Sequence, residues 1–222
     1  MNLTLFDLDG TLLPGDSDHA FGEFVVKLGW ADARAFKARN DAFYADYLAG
    51  CLDIHAHVDF ATAPWRDRSA QDLQRAAARF MDEVVQPMLM PAALALVEKH
   101  RVQGDLMAVV TATNDFVTRP IAERLGITTL IATDLVRDAA GQVTGAIAGV
   151  PCFREGKIAR VQAWLASRGQ ALVDFARCTF YSDSTNDLPL LEHVSHPVAT
   201  NPGPALERIA LERAWPILKL FP

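Results

Sequence analysis

The chain has 222 residues, enough for one large domain or for a core domain carrying a smaller insertion. Half of the residues are hydrophobic and 22% are charged, which excludes a disordered chain. The formal net charge of −6 argues against a broad basic face for nucleic acid and against attraction to anionic lipid.

Cys51, Cys152 and Cys178 form no C-x-x-C pair and are odd in number, so neither a disulfide framework nor a structural zinc site is expected. All three read as ordinary buried or half-buried thiols. No apolar run approaches the ~20 residues that span a bilayer. The first residues, Met1 to Asp7, carry no basic leader and run directly into a strand. A soluble, cytoplasmic protein is the expectation.

In chain order, Leu3 to Leu8 reads as a short buried strand ended by Gly10-Thr11. Asp16 or Ser17 is placed to cap a helix whose apolar face is Phe21, Phe24, Val25 and Leu28. Helical periodicity returns over 31–49 and 70–84, and no convincing strand lies between Pro14 and Pro87. The character changes after Pro91, which suits the first turn of a helix. A β-branched strand over 106–111 follows, then a helix over 115–125 closed by Gly126. A strand over 127–133 precedes a hairpin formed by Leu135-Val136 and Val143–Ile147. Amphipathic helix 156–168, strand 178–181, short helix 188–191, strand 194–200 and helix 205–213 complete the chain. Trp30, Trp65 and the segment Trp215 to Leu218 read as core.

Strands alternating with helices predict an α/β fold: a Rossmann-like parallel-sheet core with helices on both faces, and a small all-helical cap inserted after the first strand. The expected division is 1–13 and 88–222 for the core and 14–87 for the cap. In such sheets the reactive groups lie just beyond the carboxyl ends of the strands.

Four places join a strand end or helix start to chemically capable residues. Asp7-Leu8-Asp9-Gly10-Thr11 ends the first apolar run in two carboxylates, with a glycine that lets backbone N–H groups turn toward an anion. Thr111-Ala112-Thr113-Asn114 places hydroxyls before a helix N-terminus, a natural phosphate site and also an ordinary cap. Lys157 opens an amphipathic helix, where a cation is disfavoured by the helix dipole unless it faces an anion. Ser182-Asp183-Ser184-Thr185-Asn186-Asp187 again ends a strand in acidic residues. Taken singly, each is also explained by turns, caps or a solvated side chain.

The order of the four motifs resembles that of the haloacid dehalogenase-like phosphohydrolase superfamily. S-D-S-x-N-D-L-P-L-L, the helical insertion after the first motif and the Thr144-Gly145 hairpin are most similar to its phosphoserine phosphatase-like branch, which includes histidinol-phosphate phosphatases. The resemblance implies a phosphatase with Asp7 as nucleophile and Asp9 as general acid–base. It implies Mg²⁺ held by Asp7, the Asp9 carbonyl and Asp183, with help from Asp187. Phosphate contacts are implied for Thr111, Lys157, backbone N–H groups near Gly10 and Ala112, and Asn186. The implied partner is a small phosphorylated metabolite bound by a monomer or homodimer. Asp16 or Asp18 would hold a substrate ammonium, as an acidic residue after the first motif does in phosphoserine phosphatases. The branch's arginine following a G-x-L segment is missing: after Gly50-Cys51-Leu52 no arginine occurs before Arg66, and Asp53, His55, His57 and Asp59 intervene. That departure favours a cationic amino-alcohol phosphate such as histidinol phosphate over phosphoserine. A phosphotransferase of the same superfamily shares all four motifs, and a receiver-like phosphate-binding module shares the residue types in a different order.

Overall fold

The computed structural model describes residues 1–221. Six parallel strands form one sheet in the order β3-β2-β1-β6-β7-β8. The central strand is β1 (Leu3–Phe6), flanked by β2 (Leu106–Asn114) and β6 (Cys178–Ser182); β3 (Leu130–Thr133), β7 (His196–Thr200) and β8 (Ile217–Leu218) extend the two edges. Leu3 pairs with both Leu106 and Cys178, and Phe6 with Val109 and Tyr181, so β1 is in register on both sides. Asp7, at the end of β1, thus sits at the middle of the sheet's carboxyl edge. This is the Rossmann-like architecture that the strand–helix alternation predicts.

The pleat of β1 divides the core. Leu3 and Leu5 face one side, with Val161 and Leu165 of α8 (Glu155–Ser167), Leu190 and Leu191 of α9 (Leu188–His193), and Leu206 and Ala210 of α10 (Pro204–Glu212). Phe6 faces the other, with Leu96 and Val97 of α6 (Pro91–Val102) and Val117 and Ile121 of α7 (Asp115–Arg124). Both faces are covered, as a parallel sheet requires.

Between β1 and β2 the chain is entirely helical: α1 (Ser17–Lys27), α2 (Ala33–Leu48), α3 (Ile54–Thr62), α4 (Ala70–Phe80), a π-helical turn (Met81–Val85) and α5 (Gln86–Met88). Asp16, Asp32, Asp53 and Ser69 cap α1 to α4 by accepting from backbone N–H groups of the first turn. Phe21, Phe24, Trp65 and Phe80 pack these helices together and onto Phe116 of α7; Trp65 stacks on Phe116 with centroids 4.5 Å apart. The antiparallel hairpin of β4 (Leu135–Arg137) and β5 (Val143–Ile147) meets α3, where Arg66 bonds both Asp59 (2.6 Å) and the Thr144 carbonyl (3.3 Å).

Local structure departs from the sequence-based expectations in four places. α3 was not expected as an element, because it is short and its apolar spacing is weak. β3 begins at Leu130 rather than Ile127, because Ile127 N–H still caps α7 by donating to the Ala122 carbonyl, with Gly126 in the left-handed region at φ 72. β8 is two residues long, too short to be read from pattern. Cys51, expected to be buried or half-buried, is exposed in the α2–α3 connection, while Cys152 and Cys178 are buried. No single helix among the described residues is long and apolar enough to cross a membrane.

Candidate active site

At the carboxyl edge of the sheet, Asp7 is 3% exposed and Lys157 1% exposed. The Lys157 ammonium, carried into the site by the first turn of α8, donates to Asp7 Oδ1 (2.9 Å) and Asp187 Oδ2 (2.7 Å). Ser182 Oγ donates to the same Asp187 oxygen at 2.7 Å. Asp183 lies across from them. Its backbone N–H donates to Thr11 Oγ1 (3.0 Å), and Thr11 Oγ1 donates to its carboxylate (3.1 Å). Gly10, at φ 71, brings the loop so close to Asp183 that a Cβ there would collide with the carboxylate.

Two carboxylates therefore bond one cation, and Asp183 adds a third negative group to the cluster. Burial, opposed by Lys157 and aided by Asp187 and Asp9, pushes Asp7 up to about 7. Burial and then Asp7 and Asp187 raise Asp183 well above the ordinary carboxylate range. Burial would lower Lys157, but Asp187 and Asp7 outweigh it and hold the ammonium above its usual value. Lysine alone leaves this cluster net negative. The all-oxygen donor set of Asp7, Asp183 and the Asp9 carbonyl suits a hard divalent cation, so the residues fit one.

Asp9 is held at both oxygens: Ser17 N–H, at the start of α1, donates to Oδ1 (2.7 Å) and Thr113 Oγ1, at the end of β2, donates to Oδ2 (2.9 Å). Burial, then the nearby Asp16, push Asp9 to about 7, against these hydrogen bonds. A cavity opens onto Asp7, Asp9, Thr111 and Ala112 from one side and onto residues of α1, α2 and α3 from the other. Asp16 and Asp18 line it, and burial raises both to about 6. A neighbouring opening is lined by Asp183, Gly10 and Asp9.

Two expected phosphate contacts are engaged elsewhere. Gly10 N–H donates to the Gly15 carbonyl at 3.0 Å, closing the turn after β1 instead of facing an anion. Asn186 donates to the Tyr47 carbonyl at the end of α2 (2.9 Å), and Arg154 donates to Asn186 (3.4 Å) and to the Gly50 carbonyl. Asn186 and Arg154 thus grip the carbonyl-rich C-terminus of α2. Asp187 ties down Lys157 and does not line the cavity. In the helical segment, Asp53 caps α3 and Asp59 pairs with Arg66, so neither enters the cavity, whereas His57 does. Arg154 was missed by sequence reasoning. Its φ of 52, unusual for a residue with a side chain, follows from the tight turn that leads into α8. The bonds of Ser17, Thr113 and Asn114 into the site were also missed. Thr113 and Asn114 adjoin Thr111 in a stretch read as a phosphate site or an ordinary cap, which gave no sign of their bonds to Asp9 and Asp18.

The sequence pattern of HAD, haloacid dehalogenase-like hydrolase, matches residues 4–192. The chain belongs to the haloacid dehalogenase-like hydrolases. Within this family it is 44% identical over 217 residues to a histidinol-phosphatase of Neisseria meningitidis serogroup C (strain 8013), covering 98% of each chain. It superposes on the crystal structure of a protein with unknown function from Bordetella pertussis Tohama I with a TM-score of 0.94, at 46% identity and 99% coverage of both chains. A substrate-bound phosphoserine phosphatase shares the fold at a TM-score of 0.69 and 18% identity, over 97% of this chain and 91% of that one.

Proposed function

We propose that this haloacid dehalogenase-like hydrolase is a Mg²⁺-dependent phosphomonoesterase acting on a small cationic amino-alcohol phosphate, histidinol phosphate first among them, through a phosphorylated Asp7. The observation that carries the reading is the Asp7 carboxylate: it is buried at the sheet's central strand end, fixed by Lys157, and faces a cavity that also holds Asp9 and Thr111. The 44% identity to a histidinol-phosphatase over nearly the whole chain supports the substrate. So does a cavity wall bearing Asp16 and Asp18 and no arginine.

Asp7 attacks phosphorus and takes the phosphoryl group while the ester oxygen departs. Asp9, poised near neutrality, gives that oxygen its proton and then accepts one from the water that cleaves the aspartyl-phosphate. Inorganic phosphate and the alcohol leave, and both carboxylates return to their starting state. Thr111 and Lys157 bind phosphoryl oxygens, with the Ala112 backbone beside them. Asp187 and Ser182 fix the lysine; Thr113 and Ser17 fix Asp9. Asp7, Asp183 and the Asp9 carbonyl would hold Mg²⁺, which would supply charge neutralisation between two anionic reactants. Residues 14–87 act as the cap, since α1, α2 and α3 supply the cavity's outer wall and exclude water. Asp16 or Asp18 supplies the charge that attracts the substrate ammonium.

The test is phosphate release from histidinol phosphate, phosphoserine, other amino-alcohol phosphates and sugar phosphates, with Mg²⁺ and with EDTA, using wild type beside Asp7→Asn. Metal-dependent release, lost in Asp7→Asn and fastest on histidinol phosphate, is expected. Release that survives in Asp7→Asn would sink the mechanism, and a preference for phosphoserine would sink the substrate.

A further inference from the structure

Resting on the phosphatase reading, the outer end of the cavity carries more information than a negative charge. Asp18 comes from α1 and His57 from α3, and their side chains are 11% and 14% exposed. Asp18 Oδ1 is occupied by Asn114 Nδ2 at 3.2 Å, which orients the carboxylate from the core side. Asp18 Oδ2 lies 3.7 Å from His57 Nε2, beyond hydrogen-bond reach. Among the described residues neither ring nitrogen of His57 has a hydrogen-bond partner, although the imidazole is packed edge-on against Phe43 with centroids 5.1 Å apart. Two polar groups are thus held side by side on the cavity wall next to Phe43, with hydrogen-bonding capacity that a bound ligand can use.

We infer that Asp18 and His57 together read a nitrogen heteroaromatic ring in the leaving group: a ring N–H donates to Asp18 Oδ2, His57 Nε2 completes the contact, and the ring lies against Phe43. The placement separates two tasks. Asp16 is close enough to perturb Asp9 and so lies near the reacting end, where an ammonium one carbon from the ester CH₂ would sit. Asp18 and His57 take what lies further out. Burial lowers His57 to about 4, so it is neutral at physiological pH and does not repel a cationic substrate. Asp18 Oδ2 and His57 Nε2 are 3.7 Å apart, close enough for one ring N–H placed between them to meet both; a phenyl ring of similar size leaves both groups unpaired.

The experiment compares histidinol phosphate with phenylalaninol phosphate, which keeps the phosphate, the ammonium and a flat ring but has no ring nitrogen. Wild type is expected to favour histidinol phosphate in kcat/KM by about 10-fold or more, the effect residing mainly in KM. His57→Phe and Asp18→Asn should each bring the ratio toward one, and His57→Gln, which keeps a donor and an acceptor, should restore part of it. Asp16→Asn should weaken both substrates and preserve the ratio. A ratio near one in wild type overturns the inference, as does a ratio that His57→Phe and Asp18→Asn leave intact. Should His57→Phe fail to fold, as judged by circular dichroism, His57→Gln and Asp18→Asn decide. Release from p-nitrophenyl phosphate without ring discrimination removes this inference alone; no release from any of the three esters removes the phosphatase reading and the inference with it.

Discussion

The two walls of the cavity are built on different principles. On the core side, the charged groups are tied to partners from other segments: Lys157 to Asp7 and Asp187, Asp183 to Thr11, Asp9 to Thr113. On the helical side, Tyr44, Phe43, Ile54 and His57 stand on two helices joined by a short connection, and among the described residues His57 is left without a hydrogen-bond partner. A site that must do one chemistry is rigid and over-bonded; a wall that must accept one leaving group keeps its capacity unspent until the substrate arrives.

The comparison breaks most visibly at the core wall. Asp7→Asn should lower kcat by about 10⁴-fold or more, since no neighbouring group can replace the nucleophile. Lys157→Met comes next. It removes the cation bonded to Asp7 and Asp187, so kcat/KM should fall by about 10²-fold or more. Urea unfolding should also show a loss of about 3 kcal/mol or more, because two buried carboxylates are left uncompensated.

At the helical wall the effects are smaller and read out in binding. Asp16 and Asp18, raised to about 6, are ionised above that pH and neutral below it. The Kd of histidinol phosphate, measured on Asp7→Asn by calorimetry, should therefore weaken by about tenfold between pH 7.5 and pH 5. A pH-independent Kd would show that these carboxylates do not hold the cation. The same raised pKa has a stability consequence. A carboxylate more easily protonated when folded stabilises fully below its unfolded value near 3.8, and that contribution is lost as pH rises through about 6. Asp18→Asn should accordingly raise the melting temperature by a few degrees at pH 8, on the order of 1–2 kcal/mol, and give no gain at pH 4. The smallest effect is expected at the seam between the walls. Arg154→Ala frees the Gly50 carbonyl and weakens the hold on α2, which should raise KM by about two- to fivefold with kcat nearly unchanged.

Much of the core wall was legible beforehand because its residues lie at strand ends. A strand of four residues stops where the next side chain is charged, and in a parallel sheet all such ends meet at one edge. Asp7, Asp9, Thr111, Asp183 and Asp187 follow from that rule, and the structure brings Lys157 to them from the first turn of α8. Gly10 and Asn186 belong to the same motifs, yet their hydrogen bonds go to Gly15 and Tyr47. Adjacency in a motif places a residue near the site without fixing which way its N–H points.

The helical wall was less legible. Asp53, His55, His57 and Asp59 are equivalent as letters. Only the rotation of α3 on α2 and the hairpin turns His57 inward, leaves His55 exposed, and commits Asp53 to the cap and Asp59 to Arg66.

The sequence by itself determined the alternation that makes a doubly covered parallel sheet, the helical character of 14–87 and the charges gathered at its carboxyl edge. Apolar periodicity and strand-end chemistry are local properties, carried by residues close together in the chain. The tertiary structure alone decided which donors are already spent, that Arg154 and Asn186 clasp α2, and that Asp18 and His57 face each other across 3.7 Å. Those pairings join residues tens of positions apart on separate helices and loops, and their geometry is set by packing, which no local pattern records.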